Sequence, residues 1–199
     1  MGRESGHVMA EGRHDIAERL PQAALGEEAT AATLAALPHG WTVLHDVAWP
    51  DRRRARIDQV VVGPSGIYVV TTRDWSGRVA VEHGALRHNG RNRLAALRGA
   101  VAAAAAVASV WPDQPPAPVH GILCLTGRDR PTASFGCVSV CSTDTLVATL
   151  TSRPARVSAS HARIVVSDLR WLLSSAHDPR HLAAYAQSQL TRERSSALH

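Results

Sequence analysis

The sequence contains no lysine: all 22 of its basic residues are arginine. Schiff-base chemistry, a P-loop lysine and any catalytic ammonium are therefore excluded from this chain. Phenylalanine occurs once. Cysteine is scarce, at Cys124, Cys137 and Cys141, with no CxxC spacing and an odd count. That pattern argues against a disulfide framework and for buried free thiols in a reducing compartment. No apolar run reaches membrane-spanning length; the nearest, Ala100 to Trp111, is short and mostly alanine. The opening stretch MGRESGHVMAEGRHD is polar and charged, so a signal peptide is not expected and a cytoplasmic location is. GxSxG, HExxH and GxGxxG motifs are absent too.

What is present reads as an ordinary globular chain. Its 199 residues are 45% hydrophobic and 20% charged, enough to bury a core without staples. The net charge of +5 permits a nucleic-acid partner without demanding one.

Residues 22–36 repeat Leu25, Ala29, Ala32 and Ala36 at helical spacing and stop at Pro38 and Gly40. From Trp41 the period becomes two, which puts Trp41, Val43, His45 and Val47 on one strand face. Strands over 57–62, 67–73, 78–82 and 85–88 follow, separated by Gly, Pro and Asp turns. Together these predict an antiparallel meander. Leu94 to Val110 is an alanine-rich helix. Val119 to Leu125 and Gly136 to Cys141 read as buried strands, and Ser142 or Thr143 caps a helix through Leu150. Two further helices are expected at about 161–175 and 180–193. The fold class is α/β around one mixed sheet, with C-terminal helices. The expected division is a 1–21 extension, a 22–150 domain and a 151–199 helical appendage.

Three places draw attention for chemistry: Glu27 and Glu28 in the first helix, Asp58 opening the second strand, and the third strand's end, Thr71-Thr72-Arg73-Asp74-Trp75-Ser76-Gly77. With Gly26-Glu27, the run Trp41 to Val47, Ile57-Asp58, VVVGPSGIYVVTTRDWSG (60–77) and LRHNG (86–90), the chain resembles the nuclease-related domain (NERD) family. That family belongs to the PD-(D/E)XK, restriction-endonuclease-like superfamily. The resemblance covers roughly residues 23–125 and continues more weakly to about 150.

The resemblance implies a restriction-endonuclease-like core and a metal-dependent site for phosphodiester cleavage. Its helix glutamate matches Glu27 and its aspartate matches Asp58. Its acid-spacer-lysine matches Thr71, Thr72 and Arg73, so the acid and the lysine are replaced. Gln59 stands where such sequences often carry histidine. Positions 71 and 73 share a strand face, which is why the pattern needs one spacer. A threonine hydroxyl is a poor ligand for a hard divalent cation. An arginine keeps the positive charge but cannot serve as a base.

The candidate catalytic set is therefore Glu27, Asp58, Thr71 and Arg73. Asp58 also reads as a structural ion-pair partner of Arg56 or Arg73. Mg²⁺, if bound, would be held by Glu27, Asp58 and Glu82. Glu82 enters because pairing Arg73 with Arg78 across the turn puts Glu82 opposite Val69, on the face of Thr71. Asp74 is expected on the opposite face. Arg52, Arg53, Arg54, Arg73, Arg91 and Arg93 are the candidate contacts to nucleic acid, DNA first. His177 and His181 are four apart, but Pro179 between them and the lack of a third ligand argue against a metal pair. The C-terminal helices offer a packing or homodimer contact rather than a membrane one.

Three readings follow. The first is a nucleic-acid-binding domain that has lost most or all cleavage. The second is an active Mg²⁺-dependent nuclease with a rearranged site. The third is a protein-interaction scaffold.

Overall fold

The computed structural model describes residues 23–50, 52, 54–111, 114–127 and 129–174. The extension 1–21, Arg53, the pair His177 and His181, and the helix expected at 180–193 lie outside the described residues. So does the homodimer contact drawn from that helix.

Helix α1 spans residues 23–34. Three strands follow: β1 (Thr42–Ala48), β2 (Arg56–Gly63) and β3 (Gly66–Arg73). Next come three short ones, β4 (Val79–Glu82), β5 (Ala85–His88) and β6 (Arg91–Asn92). Helix α2 (Leu94–Ala108) leads to β7 (Val119–Leu125), β8 (Ala133–Phe135) and β9 (Val138–Ser142). Helices α3 (Thr143–Thr151) and α4 (Ala159–Ser174) end the described chain.

The meander is antiparallel only through β3. Instead of turning back against β4, β3 pairs in parallel with β7, giving the order β1-β2-β3-β7-β9-β8. The β4-β5-β6 strands form a separate three-stranded sheet. The expectation of one sheet is corrected on this point. Seven successive pairs, from Ile67↔Val119 to Arg73↔Leu125, hold β3 to β7. A four-residue β4 cannot match that ladder. The β3–α2–β7 segment is a crossover, and α2 covers one face of the main sheet. An alanine-rich face suits it there: a side chain at Gly121 on β7 would lie 3.0 Å from the Ala100 carbonyl oxygen.

Each face of the sheet buries its own core. On one, Val60, Val62, Ile67 and Val69 pack against α2 and α4, with Val165, Leu169 and Leu172 contributed by α4. On the other, Val61, Tyr68, Val70, Ile122, Cys124 and Cys141 pack against α1 and α3 through Leu34, Leu146 and Leu150. Each such fully buried aliphatic side chain contributes about 1.5–3 kcal/mol. The helix α4 therefore packs on the same core as β2 and β3. Ser142 caps α3 in a capping box with Thr145.

In β1 strand alternation fails at Asp46. Asp46 has φ +48°, and after it Val47 joins Leu44 on the α4 face, while Val43 packs on the α1 face. The expectation that Val43 and Val47 share a face is overturned by that turn in the backbone. Cys137 likewise departs from expectation: it is exposed, whereas Cys124 and Cys141 are buried.

Candidate active site

The β2–β3 ladder runs from Gly63↔Gly66 to Gln59↔Val70 and stops. Beyond that point β2 stays with β1 as far as Arg56, and β3 stays with β7 as far as Arg73. A notch opens between Asp58 and Thr71. The Asp58 side chain fills it, with Oδ2 accepting a hydrogen bond from the Thr72 backbone N–H at 2.7 Å. A carboxylate takes the place a strand carbonyl would otherwise hold.

Helix α1 is tied to the same strand. Thr72 Oγ1 donates to Thr30 Oγ1 at 3.2 Å, and Thr30 Oγ1 donates to the Gly26 carbonyl at 3.0 Å. The fit is close: a side chain at Gly26 would lie 3.4 Å from the Asp74 and Thr126 side chains. This seating brings Glu27 to the notch. Glu27 is exposed, yet its carboxyl is pushed up from the usual carboxylate range. Partial desolvation is the main cause, then the charges of Asp58 and Asp46, against the pull of Arg73. The Asp58 carboxyl is also pushed up. Burial is the main cause, opposed by the Thr72 N–H and then by Arg73.

Thr71 and Arg73 are both half-buried at the notch. Arg73 Nη1 donates to the Thr72 carbonyl at 2.6 Å. Its charge stabilises both carboxylates, although no salt bridge to either is formed among the described residues. Arg56 is taken up elsewhere, in an ion pair with Asp46 at 2.8 Å, so it is not the partner of Asp58. Gln59, where such sequences often carry histidine, is 2% exposed, and its Oε1 has no hydrogen-bond partner among the described residues. Its burial was readable from its place in an apolar strand.

Glu82 is not brought to the site. The pairing of Arg73 with Arg78 that would have placed it there does not form, because β4 belongs to the second sheet. Glu82 instead pairs with Arg78 at 2.9 Å and with Arg87 at 3.9 Å. Asp74 lies on the Thr72 face, beside Gly26, and accepts from Thr126 Oγ1 at 2.8 Å.

The segment after Arg73 is clasped to the small sheet. His88 stacks on Trp75 with ring centroids 5.2 Å apart, and Arg93 lies over the same indole at 5.1 Å. The Arg93 guanidinium donates to His88 Nδ1 at 2.6 Å, which leaves His88 Nε2–H to donate to the Ser76 carbonyl at 2.5 Å. Asn89 Oδ1 accepts from the Arg78 N–H. Arg130 donates to the carbonyls of Trp75, Gly77 and Thr126. The sequence stretches 74–77 and 86–90, read separately from the sequence, are one interlocked unit.

The family model of the nuclease-related domain matches residues 22–126. The chain belongs to the NERD family. No curated protein and no solved structure shows detectable similarity to it. The NERD match runs from α1 to the end of β7 and includes Glu27, Asp58, Thr71 and Arg73. The architecture agrees with a restriction-endonuclease-like core.

NERD membership raises the matter of a divalent metal. The Glu27 carboxyl feels the charge of Asp58, and Gln59, next to Asp58 in sequence, has a buried Oε1 with no hydrogen-bond partner among the described residues. Among the described residues, however, no group of three or more His, Cys, Asp or Glu side chains is placed to hold a metal ion. Thr71 adds only a neutral hydroxyl, and Arg73 already supplies a positive charge there. Hard divalent cations favour several charged oxygens, so this set does not fit a resident Mg²⁺.

The other candidate nucleic-acid arginines among the described residues fall on two elements. Arg52, over the Trp49 ring at 4.7 Å, and Arg54 lie on the exposed loop before β2. Arg91 is exposed at the start of β6. Arg93 is committed to Trp75 and His88. No helix among the described residues is long and apolar enough to cross a membrane.

Proposed function

We propose that this NERD protein binds nucleic acid, DNA first, and has lost most or all phosphodiester cleavage. The observation that carries the reading is the notch itself: the carboxylate partner expected opposite Asp58 is Thr71, and the lysine two residues on is Arg73. Cleavage needs a group to activate water and charge to stabilise the leaving oxygen. A guanidinium cannot take a proton at working pH. What Arg73 can do is hold an anionic oxygen by charge-assisted hydrogen bonds. The arginines Arg52, Arg54 and Arg91 supply positive charge for a phosphate backbone. We place the protein in the cytoplasm, where Cys124 and Cys141, opposite each other on β7 and β9, would stay reduced.

The test uses the full chain on single- and double-stranded DNA, with Mg²⁺ and with Mn²⁺. Binding without cutting is expected. The double change Thr71→Asp with Arg73→Lys is expected to restore metal-dependent cutting. Cutting by the natural chain that Asp58→Ala abolishes would overturn the reading. It would favour a rearranged active site, which the proximity of Glu27 and Asp58 supports.

A further inference from the structure

At the opposite end of β3 lies a second concentration of positive charge. The β2–β3 turn, Gly63 to Gly66, is its floor. The loop after α3 is fastened to that floor by two backbone bonds. The N–H groups of Arg156 and Val157 both donate to the Pro64 carbonyl, at 2.7 and 2.8 Å. Arg153, from the same loop, reaches across and donates through Nη2 to Ser139 Oγ at 3.3 Å. His120, on β7, lies within the electrostatic reach of both arginines. Its ring packs on Tyr68 with centroids 5.3 Å apart and lies against Gly66, where an added side chain would come within 3.8 Å of it.

Tyr68 is fixed in turn. Its hydroxyl is 2.7 Å from Ser65 Oγ, and Ser65 Oγ donates to the Leu150 carbonyl. The site is thus built on a rigid base, unlike a pair of arginines on a free loop.

The charges around it are of one sign. Burial and then the two guanidiniums, Arg153 and Arg156, hold the His120 imidazole below its usual range, with no carboxylate acting against them. No ion pair engages Arg153 or Arg156 among the described residues. Such crowding of like charge is relieved by an anion. Two guanidiniums and an imidazole N–H suit a phosphate, which takes several donors at once.

We propose that Arg153, Arg156 and His120 form a phosphate-binding site at the β2–β3 turn, separate from the Asp58 notch. The eight-residue β3 lies between them. At about 3.3 Å per residue the two places are roughly 20–25 Å apart. The ligand is a phosphate group, carried either by a small phosphorylated molecule or by a nucleic-acid backbone. The proposal does not rest on the reading of the notch.

The test titrates the full chain with inorganic phosphate, with pyrophosphate and with a single-stranded oligonucleotide. Affinity is read by calorimetry, and the His120 ring signals by NMR. All three probes, or the phosphates alone, are expected to shift the His120 signals. Arg156→Ala, an exposed side chain whose loss leaves packing intact, is expected to weaken binding about tenfold. Arg153→Lys is expected to weaken it less. Arg163→Ala, on the exposed face of α4, is the control and should change nothing. Tight binding of phosphate or pyrophosphate identifies a small-molecule source. An oligonucleotide that binds far more tightly and still depends on Arg156 identifies a backbone. His120 signals that stay fixed with every probe, or binding equal in Arg156→Ala and the natural chain, would overturn the proposal. Loss of oligonucleotide binding with Arg52→Ala, together with binding of all three probes that Arg156→Ala leaves unchanged, would leave the notch reading standing and remove this one.

Discussion

Asp58 Oδ2 and the Thr72 backbone N–H, 2.7 Å apart, close the notch where β2 and β3 part. The bond satisfies a strand donor that has lost its partner strand, and it fixes the carboxylate in a half-buried place. The arrangement has a consequence for stability. Burial raises the Asp58 carboxyl above its ordinary value of 3.8, despite the help of Thr72 and Arg73. The folded state therefore holds that proton more firmly than the unfolded chain. The stability gained is full below pH 3.8 and is lost as the pH rises through the higher folded value.

At neutral pH the ionised Asp58 is thus a net burden on the fold. Asn keeps an oxygen for the Thr72 N–H and carries no charge. Asp58→Asn is expected to stabilise the chain at pH 7, on the order of 1 kcal/mol, and to raise Tm by about 2–4 °C. The gain should fade on acidification towards pH 4, close to the unfolded value of 3.8. Thermal melts across that range check it. An Asn variant that melts lower at pH 7 would mean that the charge itself holds the notch together.

The clasp around Trp75 gives a second expectation. His88 stacks on the indole, accepts from Arg93 and donates to Ser76. His88→Ala removes all three contacts and is expected to destabilise by about 1–2 kcal/mol. Amide exchange at residues 74–78 should quicken, while exchange in β7 stays slow. Uniform quickening across both sheets would show that the clasp is not a local unit.

Trp41 and Gly63 make the third. The indole lies flat on the glycine, and a side chain at 63 would come within 2.2 Å of Trp41 Cε3. Gly63→Ala is expected to destabilise by about 1–3 kcal/mol through overpacking. In a Trp41→Ala background the same change should cost much less, and a double-mutant cycle measures the difference. Equal losses in both backgrounds would place the strain elsewhere.

A fourth expectation concerns DNA affinity. Arg91→Ala removes one exposed cation from β6 of the small sheet. It is expected to weaken binding about equally for all sequences and to reduce the slope of log affinity against log salt by about 1. A slope unchanged within error would mean that DNA, if bound, does not pass over β6.

Much of the chain's local order was legible. The β7 boundaries, Val119 to Leu125, match those read from the sequence, because its second half, Ile122 to Leu125, is buried on both faces and leaves a short apolar run. The start of α3 was legible because Ser142 is a good cap. The neighbours of β3 were not. Asp74 to Gly77 has the composition of a hairpin turn, and alternation tells which face a side chain takes, not which strand lies beside it. Only the β7 ladder decides that, and it joins residues about fifty positions apart. Glu82 was misplaced for this reason. The notch residues Asp58 and Glu27 came to light through family resemblance; nothing in the periodicity of either segment marks them. The break at Asp46 was hidden because a single positive φ leaves no trace in an apolar pattern.

The parallel β7–β9 pairing bears on where this chain can be cut. The segment that shows kinship with NERD ends at residue 126. A polypeptide ending there would leave β7 without its neighbour β9, and β2 without the cover of α4. Its last strand would present Ile122, Leu123, Cys124 and Leu125 on an open edge, an invitation to pair with other copies. The portion that matches the family is therefore smaller than the portion that completes the sheet and its cover. Beyond the match, β9 and α4 act as the shield that keeps this sheet from sticking to copies of itself.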